Sequence, residues 1–436
     1  MDFSVEPEFR QKLEWMRDFV IRECEPLDLL FPHHGDPYDT RNVTARRIIA
    51  PLQDQVKAQG LWACHLDPHL GGKGYGQMKL ALMNEIIGRS YWAPTIFGTA
   101  APDTGNAEIL AMFGTNDQKA RYLQPLLDGD IVSTFSMTEP HAGADPKEFS
   151  CRAWQEGDEW VIDGEKWFSS NARYAAFLIV MAVTDPEAEP HRRMSMFVVP
   201  AESPGIVIRR NVGVIGDDLD ADQGIHGYIR YDHVRVPREA MLGDPGDGFR
   251  VAQARLGGGR VHHAMRTVGR CQRALDMMLE RAVSRRTQGK RLSEHQFVQG
   301  MIADSAIELE QFRLLVLKAA WVIDNEPHGA ARTLIAMCKV QMAKIYHDIV
   351  QRAIQLHGSY GVTNETPLAA MWMGLPSLAL ADGPTEVHKV QVAKALLKNA
   401  APYDGLFPSE HIPTRLAAVR ERYAAELAVD TLVAAE

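Results

Sequence analysis

The sequence predicts an α+β chain in three successive parts: an N-terminal α-helical domain at 1–132, a middle β-barrel domain at 133–245 and a C-terminal four-helix-bundle domain at 246–436. Three observations carry this. Apolar residues first recur at helical spacing between polar connections. Short β-branched and aromatic runs then alternate with Gly, Pro, Asp and Asn, without the interleaved helices of a parallel βαβ sheet. Long amphipathic segments with short joints follow, as in a helical bundle.

In the first part, "MKLALMNEIIGRS" sets Leu80, Met83, Ile86 and Ile87 near helical spacing. "GNAEILAMFG" and "DQKARYLQPLLDG" read as two short helices, each closed by a glycine suited to a left-handed C-terminal position. The middle part supplies the strand runs "IVSTFSMT", "EWVIDG", "AFLIVMAVT", "MSMFVVP", "GIVIRR" and "GYIRYDHVRVP". In the last part, Val261, Ala264, Met265, Val268, Leu275, Met278, Leu279 and Ala282 form one stripe on a long helix. Two more long helices follow, and a shorter one starts near Thr385 with Val387, Val390, Ala393 and Leu397 expected inward.

Composition narrows the function. At 46% apolar and 24% charged residues the chain is an ordinary globular one. A net charge of −9 disfavours bulk nucleic-acid binding. Five scattered cysteines, with no CxxC or HExxH spacing, disfavour disulfides and predict no metal site. The acidic, amphipathic N-terminal stretch is unlike a secretory signal, and no apolar run is long enough for a membrane span. A cytoplasmic protein is the expectation.

Glycine clusters do not by themselves mark a phosphate site. "GGKGYG" (71–76) lacks the GxGxxG spacing and a leading strand, and "LGGGR" (256–260) fails likewise. No GxSxG supports a nucleophile elbow. Asp382, at the end of an apolar run and against Gly383 and Pro384, reads equally as a turn or N-cap residue and as a catalytic carboxylate.

A more specific signal is "STFSMTEPHAGADP" (Ser133–Pro146), which resembles the flavin-loop signature of the acyl-CoA dehydrogenase family. "GNAEILAMFGTNDQKARYLQPLLDGD", "WVIDGEKWFSSNA", "RRTQGKRLSEHQ", "QLHGSYGVTNETP" and "LADGPTEVH" resemble further family segments, in family order and over nearly the whole chain. The last looks closest to the branch of family members 10 and 11. The resemblance implies the family's α–β–α layout and FAD as cofactor. Phe135, Met137 and Thr138 would line the flavin, with Phe168 at the family's Trp position and Ser170 at its Thr position. Trp167, one residue out of register, is expected on the other side of the strand. Arg285, Gln288 and Gln296, together with Gln355, Gly358, Ser359, Pro384 and Glu386, match other FAD-contacting positions. Two departures stand out: Ala144 replaces a Ser donor, and Gln288 replaces a Phe.

The resemblance also assigns Asp382. The family's base is usually a Glu directly before Gly-Thr, and that position is Asp382 here, followed by Gly383. Members that draw the base from an earlier helix have it at the position of Gly259, which cannot accept a proton. Arg260 matches an Arg that supports the active-site loop. Asp103, His262, His263 and Gly383 are the substrate-side candidates. The implied reaction is α,β-dehydrogenation of an acyl-CoA to a trans-2-enoyl-CoA, with electrons passing to an electron-transfer flavoprotein and flavin sites built across a homodimer or homotetramer. A flavin oxidase on the same scaffold (nitroalkane oxidase or acyl-CoA oxidase) and a non-catalytic flavin or acyl-CoA binding protein are the competing readings.

Overall fold

Helices form where the apolar spacing predicts them. The computed structural model describes residues 1–31, 36–217, 224–327 and 329–427, the side chains of 256–258 aside; the predicted domain end at 428–436 lies outside the described residues. The N-terminal helices include α1 (Pro7–Phe19), α2 (Val43–Ala58), α3 (Gly76–Ile87) and α4 (Asp103–Phe113). Asn42 starts α2 by accepting the Ala45 N–H at 3.0 Å, satisfying one of the donors a helix start leaves free. Their common core holds Phe19, Ile49, Leu61, Ile87, Trp92 and Phe97, all essentially inaccessible. Each such side chain contributes roughly 1.5–3 kcal/mol by leaving water.

Of the two glycines expected to close helices in left-handed geometry, Gly129 does so at φ 79°. Gly114 is instead extended, at φ −73° and ψ 146°. The chain there runs straight into a new helix start, where Thr115 and Gln118 form a reciprocal capping box, so no reversal is required.

The middle strands are β1 (Ser133–Ser136), β2 (Arg152–Glu156), β3 (Glu159–Ser170), β4 (Phe177–Val183), β5 (Met194–Pro200), β6 (Ile206–Val212) and β7 (His226–Pro237). They form one seven-stranded sheet in the order β1-β4-β2-β3-β7-β6, with β5 on the other side of β4. β1 pairs with β4 in parallel, while β2–β3, β3–β7, β4–β5 and β6–β7 are antiparallel. β4 is covered on both faces, and its sequence FLIVMAV is accordingly apolar without alternation. β3 shifts register against β7 between Lys166 and Ser169, and at that shift Phe168 adopts φ 55°. The backbone kink re-aims the residues of β3 next to the end of β1.

The C-terminal helices include α5 (Gly248–Ser284), α6 (Gln296–Asn325) and α7 (Arg332–His357), and after them α8 (Leu375–Leu380) and α9 (Thr385–Leu397). Val261, Met265, Val268, Met278, Phe312, Val316 and Ile349 make their core. One member of the predicted stripe departs: Leu279 is 44% exposed, because Leu275, Met278 and Ala282 take the inward positions of that helix turn. The α9 expectation is also corrected. Val387, Val390, Ala393 and Leu397 are exposed, and the buried residue is His388, whose Nε2 lies 3.3 Å from the Asp382 carbonyl oxygen. The chain divides into two units, residues 1–390 and the residues from Gln391 onward.

Candidate active site

The loop between α8 and α9 carries Asp382 at φ 56° and Gly383 at φ 102°. Asp tolerates the left-handed region better than most residues, and Gly383 is required twice over: a Cβ there would stand 3.0 Å from His388 Nε2. Cations from two other helices hold the loop and the last turn of α8 by their carbonyls. Arg260 on α5 donates Nε and Nη2 to the Asp382 carbonyl oxygen at 3.2 and 3.0 Å. Lys339 on α7, itself buried, donates Nζ to the Leu378 carbonyl oxygen at 2.6 Å.

The Asp382 carboxylate is thereby left unused. Its nearest titratable neighbour is His263, with Nε2 at 3.9 Å from Oδ2, and the side chain keeps 28% of its exposure. Among the described residues no backbone N–H of α9 donates to it, so it does not act as that helix's cap. One residue before Arg260, a Cβ on Gly259 would meet nothing within 4 Å, which leaves room on that side of α5.

Charge explains the state of these groups. Burial raises the Asp382 pKa, but His263, Arg255, Lys339 and Arg260 together outweigh it and hold the carboxyl below the usual carboxylate range. Burial pushes His263 down to about 4 despite the pull of Asp382, so the imidazole is neutral near pH 7 and the effective cations are the two arginines and the lysine. Burial also lowers Lys339 to about 8, against the favourable charge of Asp382. His262 is neutral as well, pushed down to about 3 by burial, with Nε2 at 3.2 Å from Gln77 Oε1.

The second part of the site is the end of β1. The Met137 carbonyl oxygen accepts Lys166 Nζ at 2.8 Å, and the Thr138 carbonyl oxygen accepts the Trp167 N–H at 2.8 Å. β3 thus grips the Met137–Thr138 turn by both carbonyls. Phe168 is 42% exposed, unusual for a ring this large on a sheet. Trp167 does not lie on the opposite face as alternation predicts: the two ring centroids are 5.4 Å apart, because the left-handed residue at the bulge breaks the two-residue period. Ser170 Oγ is 2.8 Å from His226 Nδ1, and the His226 ring lies 5.1 Å from Phe168. The Arg255 guanidinium sits 4.1 Å over the Phe135 ring, inside its cation–π range, and Nε donates to Asn106 Oδ1 at 3.1 Å. Asp103 is engaged elsewhere. Its Oδ1 accepts from the Ser133 N–H at 2.8 Å and from the Ser133 hydroxyl at 2.6 Å, joining α4 to β1.

The remaining sequence candidates fall into separate places. Pro384 is half-buried beside Asp382, Glu386 is exposed on α9, and Ala144 is exposed in the turn after the β1 end. Arg285, Gln288, Gln296, Gln355, Gly358 and Ser359 are all exposed at the far end of α5. Gln288 and Gly289 take φ 48° and 80° in the tip of a two-stranded hairpin, a geometry that accounts for a polar residue there. Arg281 Cζ lies 5.8 Å over the Tyr360 ring, tying the two segments of this group together. Helical rise puts Arg260 and Arg285 about 37 Å apart along α5. Arg255 links the two parts of the site, its guanidinium over Phe135 and its charge acting on Asp382, while the Arg285 group stands at the far end of α5.

Sequence reasoning missed Lys339, Arg255 and Lys166. Each is a cation in an otherwise apolar or strand register ("AMCKVQMA", "VAQARL", "GEKWF"), and that mismatch was the available signal. A cluster of Asp163, Asp232 and His233 could offer ligand atoms to a metal, but Asp163 already accepts Arg230 Nη2 at 2.6 Å.

The three-part layout, the clamped carboxylate loop and the β1 turn gripped by β3 fit an acyl-CoA dehydrogenase architecture, and comparison agrees. Family profiles for the acyl-CoA dehydrogenase N-terminal, middle and C-terminal domains match residues 6–130, 134–227 and 246–397. The chain belongs to the acyl-CoA dehydrogenase family, flavin-dependent oxidoreductases acting on CH–CH bonds. It is 43% identical over 401 residues to the Mycobacterium tuberculosis protein named probable acyl-CoA dehydrogenase FadE2, covering 91% of this chain and 97% of that one. It is 40% identical over 404 residues to acyl-CoA dehydrogenase family member 10 of Mus musculus, covering 91% of this chain but 37% of that longer protein. A solved structure of a candidate acyl-CoA dehydrogenase from Mycobacterium abscessus superposes with a TM-score of 0.83 at 37% identity, over 91% of this chain and 100% of that one. Among the described residues no helix is long and apolar enough to cross a membrane.

Proposed function

We propose that this chain binds FAD and removes the α-proton and β-hydride of an acyl-CoA thioester, giving a trans-2-enoyl-CoA, with Asp382 as the base. The observation that carries the reading is the state of Asp382: its backbone is clamped by Arg260, while its carboxylate is ionised, partly open and, among the described residues, unbonded to any main-chain donor. A general base needs such a free, fixed acceptor.

The residues at the β1 end suit a flavin. Thr138 offers a hydroxyl and an N–H, Ser170 a hydroxyl and Phe168 an exposed apolar face next to a backbone turn. Met137, Phe135, Pro384 and Glu386 would complete the surround. FAD, when bound, supplies the acceptor for the β-hydride. The protein supplies the rest. Asp382 takes the α-proton and becomes neutral. Arg255, Lys339 and Arg260, which stabilised its charge, remain as the negative charge moves toward the thioester oxygen, so the site's total charge is unchanged while its location shifts. Arg260 and Lys339 keep the loop from following the proton. A backbone N–H beside the base would donate to that oxygen, and His263 and the space at Gly259 would border the acyl chain.

The remote group at Arg285, Gln288 and Gln296 is read as the half-site offered to the cofactor of a second copy, with Gln355, Gly358 and Ser359 at its adenosine end. Its exposure and its distance from Arg260, which holds the Asp382 carbonyl, support this, since about 37 Å along α5 is too far for one cofactor contact set. An electron-transfer flavoprotein is the proposed acceptor. Five free, buried cysteines fit a reducing compartment such as the cytoplasm. The proposed division is 1–132, 133–245 and 246–436.

The test is direct. Purified protein should be yellow with stoichiometric FAD and, given acyl-CoA thioesters of graded length, should reduce a dye acceptor and yield products lighter by two hydrogens. Colourless protein that takes up no FAD refutes the reading; oxygen consumption in place of dye reduction moves it to the oxidases.

A further inference from the structure

Lys166 and Glu139 form a fully buried ion pair that the reaction above does not use: Nζ to Oε1 is 2.9 Å, and both side chains are inaccessible to solvent. Such pairs are often no more stable than apolar residues of the same volume, so stability alone is a weak reason for one. Its connections are directional. Glu139 accepts the Ser150 N–H at 2.7 Å, the Ser150 hydroxyl at 3.0 Å and the Cys151 N–H at 2.9 Å, so its carboxylate is anchored from the segment that leads into β2. Lys166 spends its other bond on the Met137 carbonyl oxygen, at 2.8 Å.

That carbonyl shares a peptide plane with the Thr138 N–H. In a trans peptide the C=O and N–H point in opposite directions. Holding the Met137 oxygen inward therefore turns the Thr138 N–H outward, away from the buried ammonium. The following peptide plane is held as well, its Thr138 oxygen accepting the Trp167 N–H, so the turn is anchored at two successive carbonyls.

We infer that Lys166, anchored by Glu139, is a positioning residue that fixes the Met137–Thr138 peptide so that the Thr138 N–H points at the flavin. The inference rests on the FAD reading above. A donor fixed toward the pyrimidine edge of a flavin stabilises the charge that collects there on reduction. Without Lys166 the peptide is free to rotate and present a carbonyl oxygen to the same edge, reversing the sign of the contact.

The experiment uses the holoprotein. Lys166→Met with Glu139→Gln removes both buried charges together, which avoids stranding either one. The expected result is a thermal melt near the parent's, a more negative flavin midpoint potential, an altered flavin absorbance band and FAD loss on dilution about tenfold faster, the factor expected for one lost hydrogen bond. A folded double variant with the parent's potential and FAD retention overturns the inference and makes the pair purely structural. If the double variant does not fold, hydrogen exchange on the parent decides: the peptide containing Thr138 should exchange more slowly with FAD bound than after its removal, and equal exchange overturns the inference. A parent that holds no FAD defeats the functional reading itself, which separates the two failures.

Discussion

Asp382 is an acid whose backbone is bound and whose side chain is not. The Arg260 guanidinium holds its carbonyl oxygen, and the carboxylate is left to a neutral His263 at 3.9 Å and to cations at longer range. Those cations lower its pKa against burial, and the sign of the pH dependence follows. A depressed carboxyl is ionised throughout the neutral range, so base-dependent kcat/KM should be fully present above the usual carboxylate range and fall only as pH drops below it. Lys339→Met removes one of the lowering charges, so the acid limb of the kcat/KM profile should move to higher pH. It also frees the Leu378 carbonyl, so kcat should fall at every pH. A pH series on parent and variant checks both; an unmoved limb would mean that Lys339 serves packing alone. The part played by Lys339 was not legible from the residues alone, because Lys339 and Leu378 are far apart in sequence and the lysine reaches that carbonyl only in the folded chain.

At the scale of elements, the helices were the readable part. The stripe Val261–Ala282 on α5 has the period a buried face imposes, and its core members are inaccessible. Met265→Ala should therefore destabilise the chain by about 2–5 kcal/mol in a denaturant titration, the usual range for emptying a packed core site; an unchanged midpoint would contradict the assigned core. Three features escaped that reading for physical reasons. Gly114 is extended because a capping box begins one residue later. Trp167 and Phe168 share a side because the β3 bulge cancels strand alternation. The apolar residues of α9 are exposed because its inward position is used by His388 under the carboxylate loop. Gly383, by contrast, was legible as a turn residue, and its φ of 102° makes the requirement strict. Gly383→Ala should displace Asp382 and lower kcat by at least tenfold with a smaller change in melting temperature; wild-type kcat would contradict the tight fit against His388.

At the scale of the whole molecule, the sequence motifs assort into two groups that one chain holds apart by the length of α5. A second copy would bring them together, so sedimentation of the yellow holoprotein should give a dimer or tetramer, and Arg285→Ala should release FAD while leaving the Asp382 region intact. A flavin-loaded, active monomer would contradict that assembly. The family motifs made the groups visible in sequence; their separation became visible only with the helix that spans them. The most direct test of the central claim, that Asp382 is the base, is anaerobic mixing of FAD-loaded parent and Asp382→Asn with an acyl-CoA thioester while flavin absorbance is followed. The parent should bleach, and the amide variant should bind the thioester yet bleach slower by about 10²–10⁴-fold, the range for loss of a general base. Bleaching of Asp382→Asn at the parent's rate would contradict the account.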